Sequence, residues 1–238
     1  MQLGTALTWP LRLGLSQPHH LLMRTVLGID AAWTASQPSG VALVVDDGGS
    51  WRLVRAAASY ASFVTPAGAA AEARPSGGLP NADALLAACH MLVGASPALV
   101  AIDMPLSLVP ITSRRAADNA VSAAYGARHC STHTPSATRP GRISDDLTAG
   151  FAAAGYTLRT RGTPEHGLIE VYPHPALVEL ARATRRLPYK VGKARSYWPA
   201  LAPGERRKNL LAMWGSIVAL CVSACKFDPL RRGIGVQL

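Results

Sequence analysis

Three acidic residues stand against short apolar runs in a chain of 238 residues that carries only 14 Asp and Glu. Asp30 closes Thr25-Val26-Leu27-Gly28-Ile29, Asp103 closes Ala98-Leu99-Val100-Ala101-Ile102, and Glu170 follows Gly167-Leu168-Ile169. A carboxylate at the end of a buried strand is costly unless something compensates it, and a divalent cation with oxygen ligands does so. Two-metal hydrolysis of a phosphodiester asks for such a donor set. It needs oxygen ligands, ions about 4 Å apart, one activating water and the other steadying the leaving oxygen. Each acid taken alone reads better as a cap on the turn after its strand. The trio on a basic chain points to a metal site formed by Asp30, Asp103 and Glu170.

The residues around the acids add chemistry of their own. Pro105 follows Asp103 and Met104, where it ends strand pairing and turns the chain, holding Asp103 at a sheet edge. In Glu170-Val171-Tyr172-Pro173-His174-Pro175, His174 stands at the head of a helix that starts near Pro175. There it either makes a structural hydrogen bond or reaches the attacking water, and we carry it as a candidate catalytic group. Leu187-Pro188-Tyr189-Lys190-Val191-Gly192-Lys193-Ala194-Arg195 is a basic loop around one aromatic ring. Lys190, Lys193 and Arg195 suit phosphate contacts with base stacking nearby; the plainer reading is a solvated loop. His129, Cys130 and His133 lack zinc-site spacing.

Positioning these groups requires a sheet. Residues 25–30, 40–46 and 51–60 read as strands, with Asp47-Gly48-Gly49-Ser50 as a hairpin turn, so they form an antiparallel meander. Asn81 caps a helix with Ala82, Leu85, Leu86, Cys89, Leu92 and Val93 on one face. The strand at 98–103 then returns parallel to the first, about 5 Å from it, bringing Asp30 and Asp103 side by side. Residues 105–164 are polar, basic and turn-rich, and read as an insertion: a helix at 113–125 carrying Arg114, Arg115 and Asp118, a surface loop at 128–142, and a short helix-turn at 151–158. A strand at 168–172, a helix from 173 to about 183, and a long helix at 205–225 follow. In that last helix Leu210, Met213, Trp214, Ile217, Val218 and Cys221 are expected to face inward.

Composition sets outer limits. With 49% hydrophobic residues the chain can bury a core and is globular, and 24 Lys and Arg against 14 acids give a net charge of +10. That excess favours a polyanionic partner, nucleic acid first. Cys89, Cys130, Cys221 and Cys225 read as buried thiols in a reducing cytoplasm. No apolar run approaches the roughly 20 residues of a membrane span. Residues 1–22 have no clear period and read as a disordered extension, with Met23 as the natural start.

These segments together resemble the domain of unknown function 429 family of predicted ribonuclease H-like nucleases. The likeness runs from about Met23 to Leu220. It rests on Gly28-Ile29-Asp30, on Ile102-Asp103-Met104-Pro105-Leu106-Ser107, on Arg114 with Asp118, on the run from Glu170 to Pro175, and on Leu187-Pro188-Tyr189-Lys190. It implies an α/β ribonuclease H-like fold, a mixed sheet of an antiparallel meander plus parallel strands, with helices on both faces. It also implies Mg2+- or Mn2+-dependent cleavage of DNA or RNA, with Asp30, Asp103 and Glu170 as the acidic site and Arg114 among the substrate contacts. Family members continue after the long helix into one that adds another carboxylate. Here Asp228 precedes Pro229, so residues 226–238 read as an altered or truncated tail. Two rival functions follow: nucleic-acid or partner binding without chemistry, and an actin/hexokinase-type phosphotransferase. The second lacks the Gly-rich phosphate loops it needs, since Ala31-Ala32 follows Asp30 and Met104-Pro105 follows Asp103.

Overall fold

The strands form where apolar side chains alternate. In the computed structural model, which describes residues 24–46, 48–66, 68, 72–225 and 227–228, β1 (Arg24–Asp30) buries Thr25, Leu27 and Ile29. β2 (Gly40–Asp46) buries Val41, Leu43 and Val45 on the same face. β2 pairs antiparallel with β1 and with β3 (Trp51–Ala57), completing the expected meander. Gly48 and Gly49 take φ of 106° and 135° in the turn between β2 and β3, a backbone few other residues tolerate. The third strand stops at Ala57 instead of reaching residue 60. Ser59 ends it by capping a short helix, α1 (Tyr60–Val64), its Oγ accepting from the Ser62 N–H at 2.9 Å.

α2 (Ala82–Val93) is held at both ends. Asn81 Oδ1 accepts from the Ala84 N–H at 3.0 Å, and Gly94 closes the helix at φ 72°. It delivers the chain to β4 (Leu99–Ile102), which runs parallel to β1. The elements that follow are α3 (Ala116–Tyr125), α4 (Arg142–Ala153), β5 (Gly167–Glu170), α5 (Pro173–Leu180), α6 (Ala194–Tyr197), α7 (Pro203–Cys225) and the two-residue β6 (Phe227–Asp228). The sheet order is β5-β4-β1-β2-β3-β6, with β4 and β5 parallel to β1.

α4 corrects the reading of residues 128–158. Its buried positions are Ser144, Leu147, Thr148 and Phe151, a helical spacing in which two of the four residues are hydroxylic. Those hydroxyls find partners, Ser144 donating to the Pro105 carbonyl and Thr148 to the Ser144 carbonyl. Leu147 and Phe151 belong to the main core, so this stretch is not an excursion outside it.

That core lies between one sheet face and α1, α2 and α4. Leu27, Leu43, Val100 and Leu168 meet Phe63, Leu85 and Phe151 there, all 1% exposed or less. Each such side chain contributes roughly 1.5–3 kcal/mol by burial. On the opposite face Val26, Gly28, Val44 and Ala101 are only half-buried. α7 packs against α5 and α6 and runs into β6. Its buried stripe is narrower than expected: Leu210 is buried, Met213, Trp214, Ile217 and Cys221 are half-buried, and Val218 is 48% exposed. Cys89 and Cys130 are buried free thiols, and no helix among the described residues is long and apolar enough to cross a membrane. The readings of residues 1–22 and of the tail beyond Asp228 lie outside the described residues.

Candidate carboxylate site at the strand ends

The parallel register decides which acids meet. Ile29 of β1, Ile102 of β4 and Glu170 of β5 are aligned across the sheet. Asp30 and Asp103 come one residue later on adjacent strands, and the Asp103 N–H donates to the Ile29 carbonyl at 2.8 Å. The position level with them on β5 is Val171, whose N–H donates to the Ile102 carbonyl at 2.9 Å. Ile29, Ile102 and Leu168 point into the core, so Asp30 and Asp103 leave the pleat on the other side, while Glu170 shares the parity of Leu168. Asp30 and Asp103 are thus a pair, and Glu170 stands one step back. All three still line a single cavity of about 450 Å³, together with Trp33, His133, His174 and Lys190.

Glu170 has other partners. Arg115 donates to both of its oxygens, at 2.6 Å and 2.7 Å, and the Leu106 N–H donates to Oε2 at 3.0 Å. Arg115 also donates to the Leu106 carbonyl at 2.8 Å, so the two side chains clamp the turn that Pro105 begins. The same guanidinium reaches buried Asp118 through Nε at 3.0 Å and Nη2 at 2.8 Å. Asp118, at the third position of α3, in turn accepts from the Arg115 backbone N–H at 2.9 Å. Burial pushes the Asp118 carboxyl up, but these bonds outweigh it and hold the group below the usual carboxylate range.

Asp103 is the opposite case. Burial first, and then the charge of Asp30, push its pKa up to about 6, against the opposing pull of Lys190 and Arg186. Neither Asp30 nor Asp103 forms an ion pair among the described residues. A half-buried carboxylate beside a second one is poorly compensated as an anion, and a cation between them would reverse that penalty. Two carboxylates suffice for Mg2+, which keeps several waters and takes further oxygens from a substrate phosphate. No group of three or more His, Cys, Asp or Glu among the described residues is placed to hold a metal ion. Asp30 and Asp103 are thus the cavity carboxylates without an ion pair among the described residues, while Glu170 is held by Arg115 and the Leu106 N–H.

His174 is buried in the first turn of α5, its Nδ1 2.8 Å from the Tyr189 hydroxyl. Burial, then Arg186 and Lys190, lower its pKa to about 3, so the ring is neutral near pH 7. Tyr172 meets it edge-on, with ring centroids 5.1 Å apart.

Of the expected substrate contacts, only Lys190 lines the cavity. Lys193 and Arg195 are exposed beyond it, on a 3-10 turn and on α6. Arg114 is spent on structure. Its Nε donates to Asn119 at 2.7 Å, Nη1 to Thr132 and Thr134, and Nη2 to the Asp118 carbonyl and Ser122, which joins α3 to the 130–134 loop.

Sequence reading gave no role in the site to Arg115, Trp33, His133 or Arg186. The spacing of Arg115 to Asp118, with an acid three residues into a helix, was the one available signal among them. A family model described as "Protein of unknown function (DUF429)" matches residues 28–231. No curated protein and no solved structure matches the chain.

Proposed function

The chain belongs to the DUF429 family, and on that premise we propose that it is a metal-dependent hydrolase of nucleic-acid phosphodiester bonds on a ribonuclease H-like sheet. The fold reading is supported by the meander of β1, β2 and β3 with β4 and β5 parallel to β1. One observation carries the chemistry: Asp30 and Asp103 end adjacent parallel strands in register, at the edge of a cavity that also holds Lys190.

Asp30 and Asp103 would hold Mg2+ or Mn2+. Bound there, the ion would supply water activation and charge neutralisation at the leaving oxygen. Lys190 neutralises a substrate phosphate. Glu170 and Arg115 fix the turn behind Asp103, so they act by positioning. A protonated Tyr189 hydroxyl donating to Nδ1 leaves the His174 ring proton on Nε2, which makes the imidazole a neutral donor. The test is Mn2+-dependent cleavage of labelled single- and double-stranded oligonucleotides. Asp30→Asn and Asp103→Asn should abolish it, and Glu170→Gln should lower it about 10- to 100-fold as a supporting residue does.

A second reading is binding without cleavage. It is favoured by the engagement of Glu170 with Arg115, and by the lack among the described residues of a group of three or more His, Cys, Asp or Glu placed to hold a metal. It predicts salt-sensitive oligonucleotide binding that persists in Asp30→Asn and Asp103→Asn, with no metal-dependent cleavage in the parent.

A further inference from the structure

Away from its acids, the cavity has a wall of opposite charge. His133 and Arg139 line it from the 129–141 loop, and Lys190 lines it from the segment after α5. Arg186, four residues before Lys190, is tied to the 126–128 turn by its backbone N–H, which donates to the Arg128 carbonyl at 2.8 Å. Its Nε is buried and has no hydrogen-bond partner. Among the described residues no ion pair engages Arg139, Arg186 or Lys190.

Arg139, Lys190 and His133 share one cavity wall. After burial, the charges of Lys190, Arg186, Arg139 and Lys193 hold the His133 imidazole below its usual pKa. Like charges gathered round one ring repel each other, and a buried guanidinium N–H without an acceptor is expensive to keep. An anion bound between Arg139 and Lys190 relieves that repulsion. Trp33 flanks the same spot, meeting His133 edge-on at a centroid distance of 6.1 Å, and offers an aromatic surface to a base.

We propose that Arg139, Arg186 and Lys190 form a phosphate subsite around His133, which holds the substrate phosphate next to the one presented to Asp30 and Asp103. This rests on the reading of the substrate as nucleic acid, because the same charges would also take a free sugar phosphate. Lys190 and Arg139 are its exposed arms on the cavity wall, and half-buried Arg186 adds positive charge to them.

Isothermal titration of the full chain in EDTA tests it, with 5′-phosphorylated tetrathymidylate and ribose 5-phosphate as probes. The tetranucleotide should bind, and Lys190→Gln, Arg139→Gln and Arg186→Gln should each weaken it at least ~10-fold. Asp30→Asn should tighten it by removing a like charge. Lys190 and Arg139 are exposed, so those variants carry the test if Arg186→Gln fails to fold. Unchanged affinity in Lys190→Gln and Arg139→Gln overturns the subsite. A tetranucleotide that binds no tighter than ribose 5-phosphate overturns its assignment to nucleic acid. Intact phosphate binding in a parent that cleaves nothing with Mn2+ supports the subsite while sinking the nuclease reading, so the two fail separately.

Discussion

Arg115 grips Glu170 through both carboxylate oxygens, at 2.6 Å and 2.7 Å, while 17% of its side chain and 33% of that of Glu170 remain exposed. The same guanidinium neutralises Asp118, which is 2% exposed. One arginine therefore balances two acids and holds the loop behind Asp103. Arg115→Met removes that balance and leaves the Asp118 charge buried. The expected loss is about 3 kcal/mol of stability, the usual cost of breaking a buried pair from one side. Urea denaturation at pH 7 measures it, and a loss below about 1 kcal/mol would contradict the dual role.

Asp103 makes stability depend on pH with an unusual sign. Its folded pKa of about 6 lies above the ordinary value of 3.8, so the folded state binds the extra proton between them. This group's contribution thus falls as pH rises from about 4 to about 6 and stays lost above. His174 runs the other way. Its folded pKa of about 3 lies below 6.5, so its contribution rises with pH across that interval. Between about pH 4 and 6 the two oppose each other. Asp103→Asn removes only the first, so the variant should be more stable than the parent at pH 7, by up to about 3 kcal/mol. Its stability should also climb more steeply with pH over that window. Denaturant midpoints at four pH values decide this, and a variant less stable than the parent at pH 7 refutes it.

Two cations near the site should separate cleanly by function. Arg114→Ala breaks the bonds from α3 to the 130–134 loop, and its expected cost is about 2 kcal/mol. Lys190→Gln alters an exposed side chain and should leave the melting temperature within error. It should instead weaken oligonucleotide binding and reduce the salt slope by about 1. Thermal melts and fluorescence anisotropy on both variants check the split. A binding defect in a fully folded Arg114→Ala that matches that of Lys190→Gln would reverse the roles.

Tyr189→Phe leaves the buried His174 Nδ1 without its partner at 2.8 Å. The predicted cost is about 1–3 kcal/mol, and the imidazole signals should shift in a tautomer-sensitive NMR spectrum. An unchanged spectrum would mean that Tyr189 does not set the ring.

Much of this architecture was legible in the chain because the signals were local. Alternation in Val41, Leu43 and Val45, the Gly48-Gly49 turn, the Asn81 cap and the Gly94 stop each specify an element without outside help. The alignment of Asp30 with Asp103 followed from a helix returning to a parallel strand. What escaped was long-range. The core face of α4 is half Ser and Thr, whose polarity is satisfied by the Pro105 and Ser144 carbonyls. The parity of Glu170 depends on a register of β5 against β4 that its own sequence does not encode. Arg186, whose Nε is left without a partner beside the site, could not be told from the other arginines of a chain carrying 24 basic residues.

The central claim is that Asp30 and Asp103 together hold a divalent cation. Isothermal titration with Mn2+ at pH 7, on the parent and on Asp30→Asn, Asp103→Asn and Glu170→Gln, tests it most directly. The account predicts binding to the parent, loss of at least ~10-fold in affinity in each aspartate variant, and a smaller loss in Glu170→Gln. No heat of binding at millimolar Mn2+ in the parent, or equal affinity in the parent and both aspartate variants, would contradict it.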